Sequence, residues 1–487
     1  MSMPRWQWAG IAVLLAGCAA GPEYVVPDAR VPAGYKYAAA PRPDPSGRWK
    51  IGQPADEALR GEWWRIFREP TLDAYQEEAL RNSPTLQGAA ARLKQARALY
   101  DAARAGRLPR LAAGFGLSRE RPSPASEDLA PDATAETSTL WRAELGASYE
   151  ADLFGRVAAT VAGAKADTER GAALYRSALL VLQADIAQTY FLVRELDSEK
   201  RVYDRALALR LEIARLIQDR HDAGQASELD LMRARTELET ARADAYQAAR
   251  RRAVAENALA LLLGRAPADF FAPFEPLERV KVVIPAGLPA ALLERRPDIA
   301  AAERAMAAAN ARIGEAEAAF FPSLELTAAG GFESGELGDL FAWSSRTFLL
   351  GPLVGTALTL PIFDGGRRQA RLSHAQARYE EDVAAYRQTV LNAFREVEDG
   401  LAHLRIMQDQ MRAQDAATET AERAAGLARL QYQAGAFSQL DVIDADRTLL
   451  EHQLAAARLA GEQARTVVQL VRALGGGWGL PVPAEES

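Results

Sequence analysis

The stretch Ala223-Gly224-Gln225-Ala226-Ser227-Glu228-Leu229-Asp230 returns, little changed, as Ala434-Gly435-Ala436-Phe437-Ser438-Gln439-Leu440-Asp441. The offset of 211 residues persists through Ala234/Ala445, Leu238/Leu449, Leu259/Leu470, Leu263/Leu474 and Gly264/Gly475. Upstream, Pro84 matches Pro297, and Leu108-Pro109-Arg110-Leu111 matches Phe321-Pro322-Ser323-Leu324. Asp152-Leu153-Phe154-Gly155-Arg156 corresponds loosely to Ile362-Phe363-Asp364-Gly365-Gly366-Arg367. Matches in the same order along the chain mark a tandem duplication, with repeats over 62–270 and 271–478. In each copy the glycine supplies the left-handed residue that ends a helix. Ser227 and Ser438 are placed to cap the next helix. Asp230 and Asp441 fall in its first turn, where negative charge suits the helix dipole. The repeated motif is therefore the turn of an antiparallel helical hairpin, with tips at about 220–230 and 431–444.

Outward from these turns, no proline occurs between Pro131 and Pro267 or between Pro361 and Pro481. The long helices expected there, about 157–222 and 366–433, each reach about 100 Å at 1.5 Å per residue. Such rods cannot wrap one compact core and need neighbouring helices along their whole length. A shorter helix opens each repeat, at about 72–106 and 298–320, and ends at a proline.

Between that short helix and the long one, each repeat carries two alternating segments. Trp141, Ala143, Leu145, Ala147, Tyr149, Ala151 and Leu153 alternate with Arg142, Glu144, Gly146, Ser148, Glu150 and Asp152. Period-two alternation of this length predicts a strand with one apolar and one polar face. Strands are expected at about 110–118, 140–153, 323–332 and 350–362. Alternation alone also suits a soluble sheet with one wet face. The lengths match the ~9–11 residues of a transmembrane strand. Four strands in lipid leave two open edges, and unpaired backbone groups in hydrocarbon cost several kcal/mol each. Membrane barrels need about eight strands or more, so several copies must share one barrel. Arg142, Glu144, Ser148, Glu150 and Asp152 would then face its water-filled lumen. The fold class expected is a mixed α+β membrane protein of long helical hairpins and shared β-strands.

The first residues read as an address. Arg5 precedes an apolar run from Ala9 to Leu15, then Leu15-Ala16-Gly17-Cys18. The run is far below the ~20 residues needed to span a bilayer and has the length of a signal-peptide core. Residues 1–17 are read as a lipoprotein signal peptide, because the four residues ending at Cys18 resemble a bacterial lipobox. That resemblance implies acylation of Cys18, and Ala19 after it favours the outer membrane. Residues 18–61, rich in proline, form an extended arm, and 479–487 a tail.

Composition narrows the remaining classes. The 487 residues carry 58 Lys+Arg against 65 Asp+Glu, a net charge of −7 that excludes a strongly basic nucleic-acid binder. Cys18 is the one cysteine, so there is no internal disulfide framework. The four histidines show no metal-ligand spacing. No phosphate loop, dinucleotide fingerprint or nucleophile elbow is present, so neither catalytic residues nor a cofactor are expected. The carboxylates follow helix faces, and pairing along those helices is expected to account for them.

Several of these features together resemble the TolC-like outer-membrane factor family, in particular its lipid-anchored efflux branch. Gly21-Pro22-Glu23-Tyr24, Trp63-Trp64-Arg65-Ile66-Phe67, Asn82-Ser83-Pro84, Arg296-Pro297-Asp298 and the two glycine turns carry the likeness. The resemblance implies a homotrimer with a twelve-stranded barrel in the outer membrane and a helical tunnel in the periplasm. It implies a periplasmic adaptor and an inner-membrane transporter of the resistance-nodulation-division type as partners. Ala223, Gly224, Gln225, Ala434, Gly435 and Ala436 would meet the adaptor. Leu440 and Asp444 would form the periplasmic gate, with Asp441, Asp230 and Tyr432 holding the tips together. The expected function is a passive exit duct for drugs or other toxic solutes. A type I protein-secretion channel is the alternative within the family, and a non-conducting envelope lipoprotein is the alternative outside it.

Overall fold

The computed structural model describes residues 21–27, 32, 34–37, 62–128, 130, 134, 136–279, 293, 295–349 and 356–476. The signal peptide, Cys18 and the C-terminal tail lie outside them. Each repeat runs short helix, strands, long helix, shorter helix. In the first these are α1 (Pro70–Asn82), α2 (Pro84–Ala105), β1 (Arg110–Glu120), β2 (Ser138–Ala151), α3 (Arg156–Asp222) and α4 (Glu228–Leu262). In the second they are α5 (Pro297–Ala318), β3 (Ser323–Ser334), β4 (Arg346–Leu349), β5 (Thr356–Thr359), α6 (Arg367–Gln433) and α7 (Gln439–Ala473). Equivalent helices match in length to the residue: 67 for α3 and α6, 35 for α4 and α7, 22 for α2 and α5.

The chain forms two compact units. The first gathers Arg92–Gly171 and Ala302–Tyr386 with the start of the arm. Its centre is an antiparallel sheet in the order β1-β2-β3-β4, with β5 also on β3. The strand expected at 350–362 differs from the pairing found. Arg346–Leu349 and Thr356–Thr359 both pair with β3, but Leu349 faces Ala329 while Thr356 faces Leu326. The two pieces are thus four residues out of register, an insertion that alternation cannot reveal. The alternation also overran β2. Asp152 lies beyond the end of that strand, and its carboxylate accepts the N–H groups of Val157 (3.0 Å) and Ala158 (2.7 Å) at the start of α3. Asp364 repeats the arrangement for α6, accepting from the N–H groups of Gly366 and Arg368.

Gly21–Tyr24 also belongs to this unit and lies on α5. The Tyr24 hydroxyl donates to Glu303 Oε1 (2.7 Å), and Asn310 Nδ2 donates to the Pro22 carbonyl (2.9 Å).

The second unit holds most of the helical length. Its core gathers Trp63, Trp64, Leu72, Ile186, Phe191, Leu259, Leu263, Val468 and Val471. Trp63, 1% exposed, donates through Nε1 to Gln183 Oε1. The helix expected over 72–106 is interrupted at Ser83, because a proline at 84 disfavours helical geometry in the residue before it. Adjacent Asn82 packs against Gly264, where a Cβ would come within 2.6 Å of the Asn82 carbonyl. In the equivalent position Arg296 clamps Asp298 (2.6 and 3.0 Å), Glu396 (2.6 Å) and the Ala473 carbonyl (3.1 Å). Both motifs are joints that lock helices together.

Midway along α3, Val193–Glu199 is buried on every side. Its carboxylates are paired from other helices rather than along their own. Glu199 accepts from Arg251 (2.7 Å) and Arg458 (2.9 Å), Asp197 from Arg252 (2.5 Å), and Glu195 from Arg465. The segment after α4 crosses this belt, with the N–H groups of Glu275 and Leu277 bound by Asp197 and Ser198. Intrahelical pairs such as Lys200–Asp204 and Arg423–Glu419 account for charges outside this belt.

Candidate functional site

Two places in the molecule are built for something beyond their own chain, and the sheet is the first. Register puts Leu117, Trp141 and Ser334 in one row, Phe115, Ala143 and Phe332 in the next, then Ala113, Leu145 and Gly330, then Leu111, Ala147 and Ala328. The rows share one face, since alternate residues of a strand point the same way. Leu111, Phe115, Leu145, Phe348 and Leu358 are exposed, Phe115 at 65%. Apart from Ser334 these four rows are apolar across β1, β2 and β3, while Arg119, Thr139 and Arg346 lie on the same side toward the loop ends of the strands. The opposite face carries Arg142, Glu144, Ser148 and Glu150. Arg142 pairs with Glu333 (3.2 Å), Glu144 lies between Gly114 and Gly331, and Glu150 holds Arg156 through two bonds (2.5 and 2.7 Å). The outer edges of β1 and of β4 and β5 have no strand partner within the described chain. An apolar face with two open edges calls for a covering and for further strands from outside the chain, which lipid and a shared barrel supply together.

The second place is the pair of tips. Gly224 (φ +71°) and Gly435 (φ +76°) adopt the left-handed conformation. At each, two backbone bonds close the helix end: Gln225 N to Arg220 O with Gly224 N to His221 O, and Ala436 N to Gln431 O with Gly435 N to Tyr432 O. These are Schellman closures, which need a residue free of Cβ strain. Ala223, Gln225, Ala434 and Ala436 are exposed beside them. The next helices start at Ser227 and Ser438, whose hydroxyls accept the N–H groups of Asp230 (3.1 Å) and Asp441 (3.4 Å). At Ser438 the box is reciprocal, because Asp441 Oδ2 accepts the Ser438 N–H (2.9 Å). The Ser438 hydroxyl and N–H hold the Asp441 carboxyl below the usual carboxylate range.

Of the residues expected to hold the tips together, Tyr432 alone reaches the other hairpin. Arg220 Nη1 donates to its hydroxyl (3.2 Å), and the guanidinium lies 5.5 Å over its ring. Asp230 and Asp441 serve their own helix starts. The larger tie went unread in the sequence: Arg447 of α7 and Arg210 of α3 both bind Glu237 of α4. Nothing in the residue types marked it, since Arg and Glu at helical spacing look the same on a wet face. Leu440, 55% exposed, and Asp444 are four residues apart and share one exposed side of α7. Between the ends of α3 and α6 and the start of α7 lies a cavity of about 410 Å³, lined by Ile213, Leu216, Arg220, Tyr432, Gln439 and Ile443. Among the described residues no group of three or more His, Cys, Asp or Glu is arranged to hold a metal.

Uncovered strands at one site and glycine-turned helical hairpins at the other agree with a match over residues 76–265 and again over 288–476 to one family, outer membrane efflux protein. The chain belongs to that family. It is 36% identical to the toluene efflux pump outer membrane protein TtgF of Pseudomonas putida, covering 96% of both chains. Identity to the outer membrane protein OprJ of Pseudomonas aeruginosa is also 36%, over 96% of this chain and 95% of OprJ. The crystal structure of the Campylobacter jejuni CmeC outer membrane channel superposes with a TM-score of 0.85 at 25% identity, over 94% of this chain and 95% of that one. The protein is an efflux channel of the Gram-negative outer membrane, with its strands in the lipid and its helical hairpins in the periplasm. Members of the family are transport proteins.

Proposed function

We propose that the protein is the passive exit duct of a tripartite pump, closed as a homotrimer and anchored by acyl chains on Cys18. The observation that carries the reading is the sheet with an uncovered apolar face and two unpaired edges. One chain brings four strand positions, and three chains bring twelve, above the minimum for a membrane barrel. The polar face, with Arg142, Glu144, Ser148 and Glu150, then lines water.

The exposed turns Ala223-Gly224-Gln225 and Ala434-Gly435-Ala436 receive the periplasmic adaptor. Leu440 and Asp444 project from the converging α7 helices as an apolar ring and a carboxylate ring. Repulsion among like charges favours opening once adaptor contacts replace those that hold the tips together. Energy comes from an inner-membrane transporter of the resistance-nodulation-division type. The cargo class is drugs or other small toxic solutes, in keeping with relatives whose names refer to toluene and antibiotic efflux.

Native mass spectrometry of the detergent-purified complex tests the assembly. Three copies, each with acyl mass on Cys18, are expected, and a stable lipid-free monomer overturns the reading. Restoration of dye efflux in cells lacking their own outer-membrane channel tests the cargo class.

A further inference from the structure

The cavity of about 410 Å³ between the ends of α3 and α6 and the start of α7 has no part in the duct as derived above. Its volume lies within the ~300–1,000 Å³ of small-ligand sites. Ile213, Leu216 and Ile217 from α3, with Val442 and Ile443 from α7, give it apolar walls. Of the charged residues at its border, Arg429 is held by Asp446 (2.5 and 3.1 Å) and Arg220 donates to the Tyr432 hydroxyl (3.2 Å).

Gln439 makes this more than a gap between helices. It lines the cavity and is 8% exposed, and neither its Oε1 nor its Nε2 has a hydrogen-bond partner among the described residues. Leaving a buried polar group unpaired costs about 1–3 kcal/mol, and most such groups in folded chains are satisfied. The position itself does not require an amide. Gln439 is the first residue of α7, and its counterpart 211 residues earlier, Glu228, opens α4 exposed to solvent. The cap of α7 is made by Ser438 and Asp441 without help from Gln439. Gln439 also borders a cavity of about 20 Å³ beside Arg210 and Glu237, room for about one water. The larger cavity admits a body of many atoms.

The partner's chemistry follows from the amide. A carboxamide presents a donor and an acceptor side by side, so one group satisfies both only if it offers an acceptor and a donor at the same spacing. A second carboxamide does so, as does a lactam, whose N–H and carbonyl lie on one side. A carboxylate accepts without donating and would carry its charge against apolar walls. An ammonium donates without accepting. The remainder of the molecule must be uncharged and apolar to cover the isoleucines.

We propose that this cavity binds a small uncharged amphiphile carrying a primary amide or lactam on an apolar body, with Gln439 pairing to that amide through both of its polar atoms. The bound molecule touches α3, α6 and α7 together and braces the start of α7 against the first hairpin.

The test uses the full protein in lipid nanodiscs, with empty nanodiscs as the reference and naphthamide as the probe. Equilibrium dialysis is expected to show saturable binding. Hydrogen exchange is expected to slow at the end of α3 and the start of α7, because a ligand of the folded state protects the segments it joins. Gln439→Leu keeps the side-chain bulk and removes both hydrogen bonds, so it is expected to weaken naphthamide binding about tenfold. Naphthalene, which lacks the amide, is expected to bind both proteins alike. The substitution also deletes an unpaired buried group, so the variant should melt no lower than the parent. Absence of saturable binding, equal affinity of parent and variant for naphthamide, or protection confined to helices other than α3 and α7 overturns the proposal.

Discussion

Single residues explain why the two tips are so alike. A helix end facing solvent leaves N–H and carbonyl groups without partners, and both turns solve this with a left-handed glycine followed by a serine cap. The box at Ser438 and Asp441 is reciprocal, so Ser438→Ala removes the acceptor for Asp441 N–H and a donor to its carboxylate. We predict a cost of about 1 kcal/mol, read as faster hydrogen exchange in the first turn of α7. Because the folded Asp441 carboxyl titrates below its ordinary value of 3.8, its contribution is present above that value and disappears as pH falls through the lower folded one. Protection factors in this turn, taken relative to the intrinsic exchange rate at each pH, should therefore fall below about pH 4, and Asp441→Asn should abolish the dependence. Serine and aspartate at this spacing were legible in the sequence because a cap is a local device. Tyr432 with Arg220 and Glu237 with Arg447 were not, because each pair joins residues about 210 positions apart, and Arg210 meets Glu237 only across the packing of two helices.

At the scale of elements, the sheet and the buried belt teach opposite lessons. The strands announced themselves, since alternation is set by the pleat and survives without knowledge of partners. Their ends did not. Asp152 continues the alternation but turns to cap α3, and the register jump between β4 and β5 has no periodic signature. Leu145, near the middle of β2 on the apolar face, tests the lipid contact. Leu145→Arg should cost about 2–4 kcal/mol in a bilayer, lowering the yield of heat-resistant oligomer on gels. Glu144→Gln on the other face should leave that yield unchanged. The belt around Glu195, Asp197 and Glu199 was invisible, because charged residues at helical spacing look like a wet face until three other segments cover them. Asp197→Ala leaves the Glu275 N–H without its acceptor and takes from Arg252 its most buried partner, leaving it Glu256 and the Ala272 carbonyl. Losing one partner of a buried pair costs about 3–5 kcal/mol, so the melting temperature of the detergent-purified protein should fall sharply. Arg423→Ala, in an exposed pair, should leave it within error.

For the whole molecule, duplication turns one design into two hairpins that differ where the proposed gate lies. Both repeats share helix lengths, glycine turns and serine caps, so matched ends would converge symmetrically around an axis. Asymmetry enters at α7, where Leu440 and Asp444 stand on an exposed side with no pairing across to the first hairpin, while Arg447, one turn on, is drawn to Glu237. In a closed ring of chains, Leu440 and Asp444 are free to meet their own copies, and Arg447 holds α7 in the position that lets them meet. Two independent effects follow. Truncating the ring residues widens the aperture directly, so Leu440→Ala and Asp444→Ala should each raise single-channel conductance in planar bilayers. Releasing the hold lets α7 swing, so Glu237→Ala should raise the open probability while leaving the conductance of the fully open state unchanged. Asp444→Ala should also weaken cation selectivity, because a ring of carboxylates concentrates cations at the constriction. If neither ring substitution alters conductance or selectivity, the narrowest point lies elsewhere along the helices, and α7 does not gate the duct.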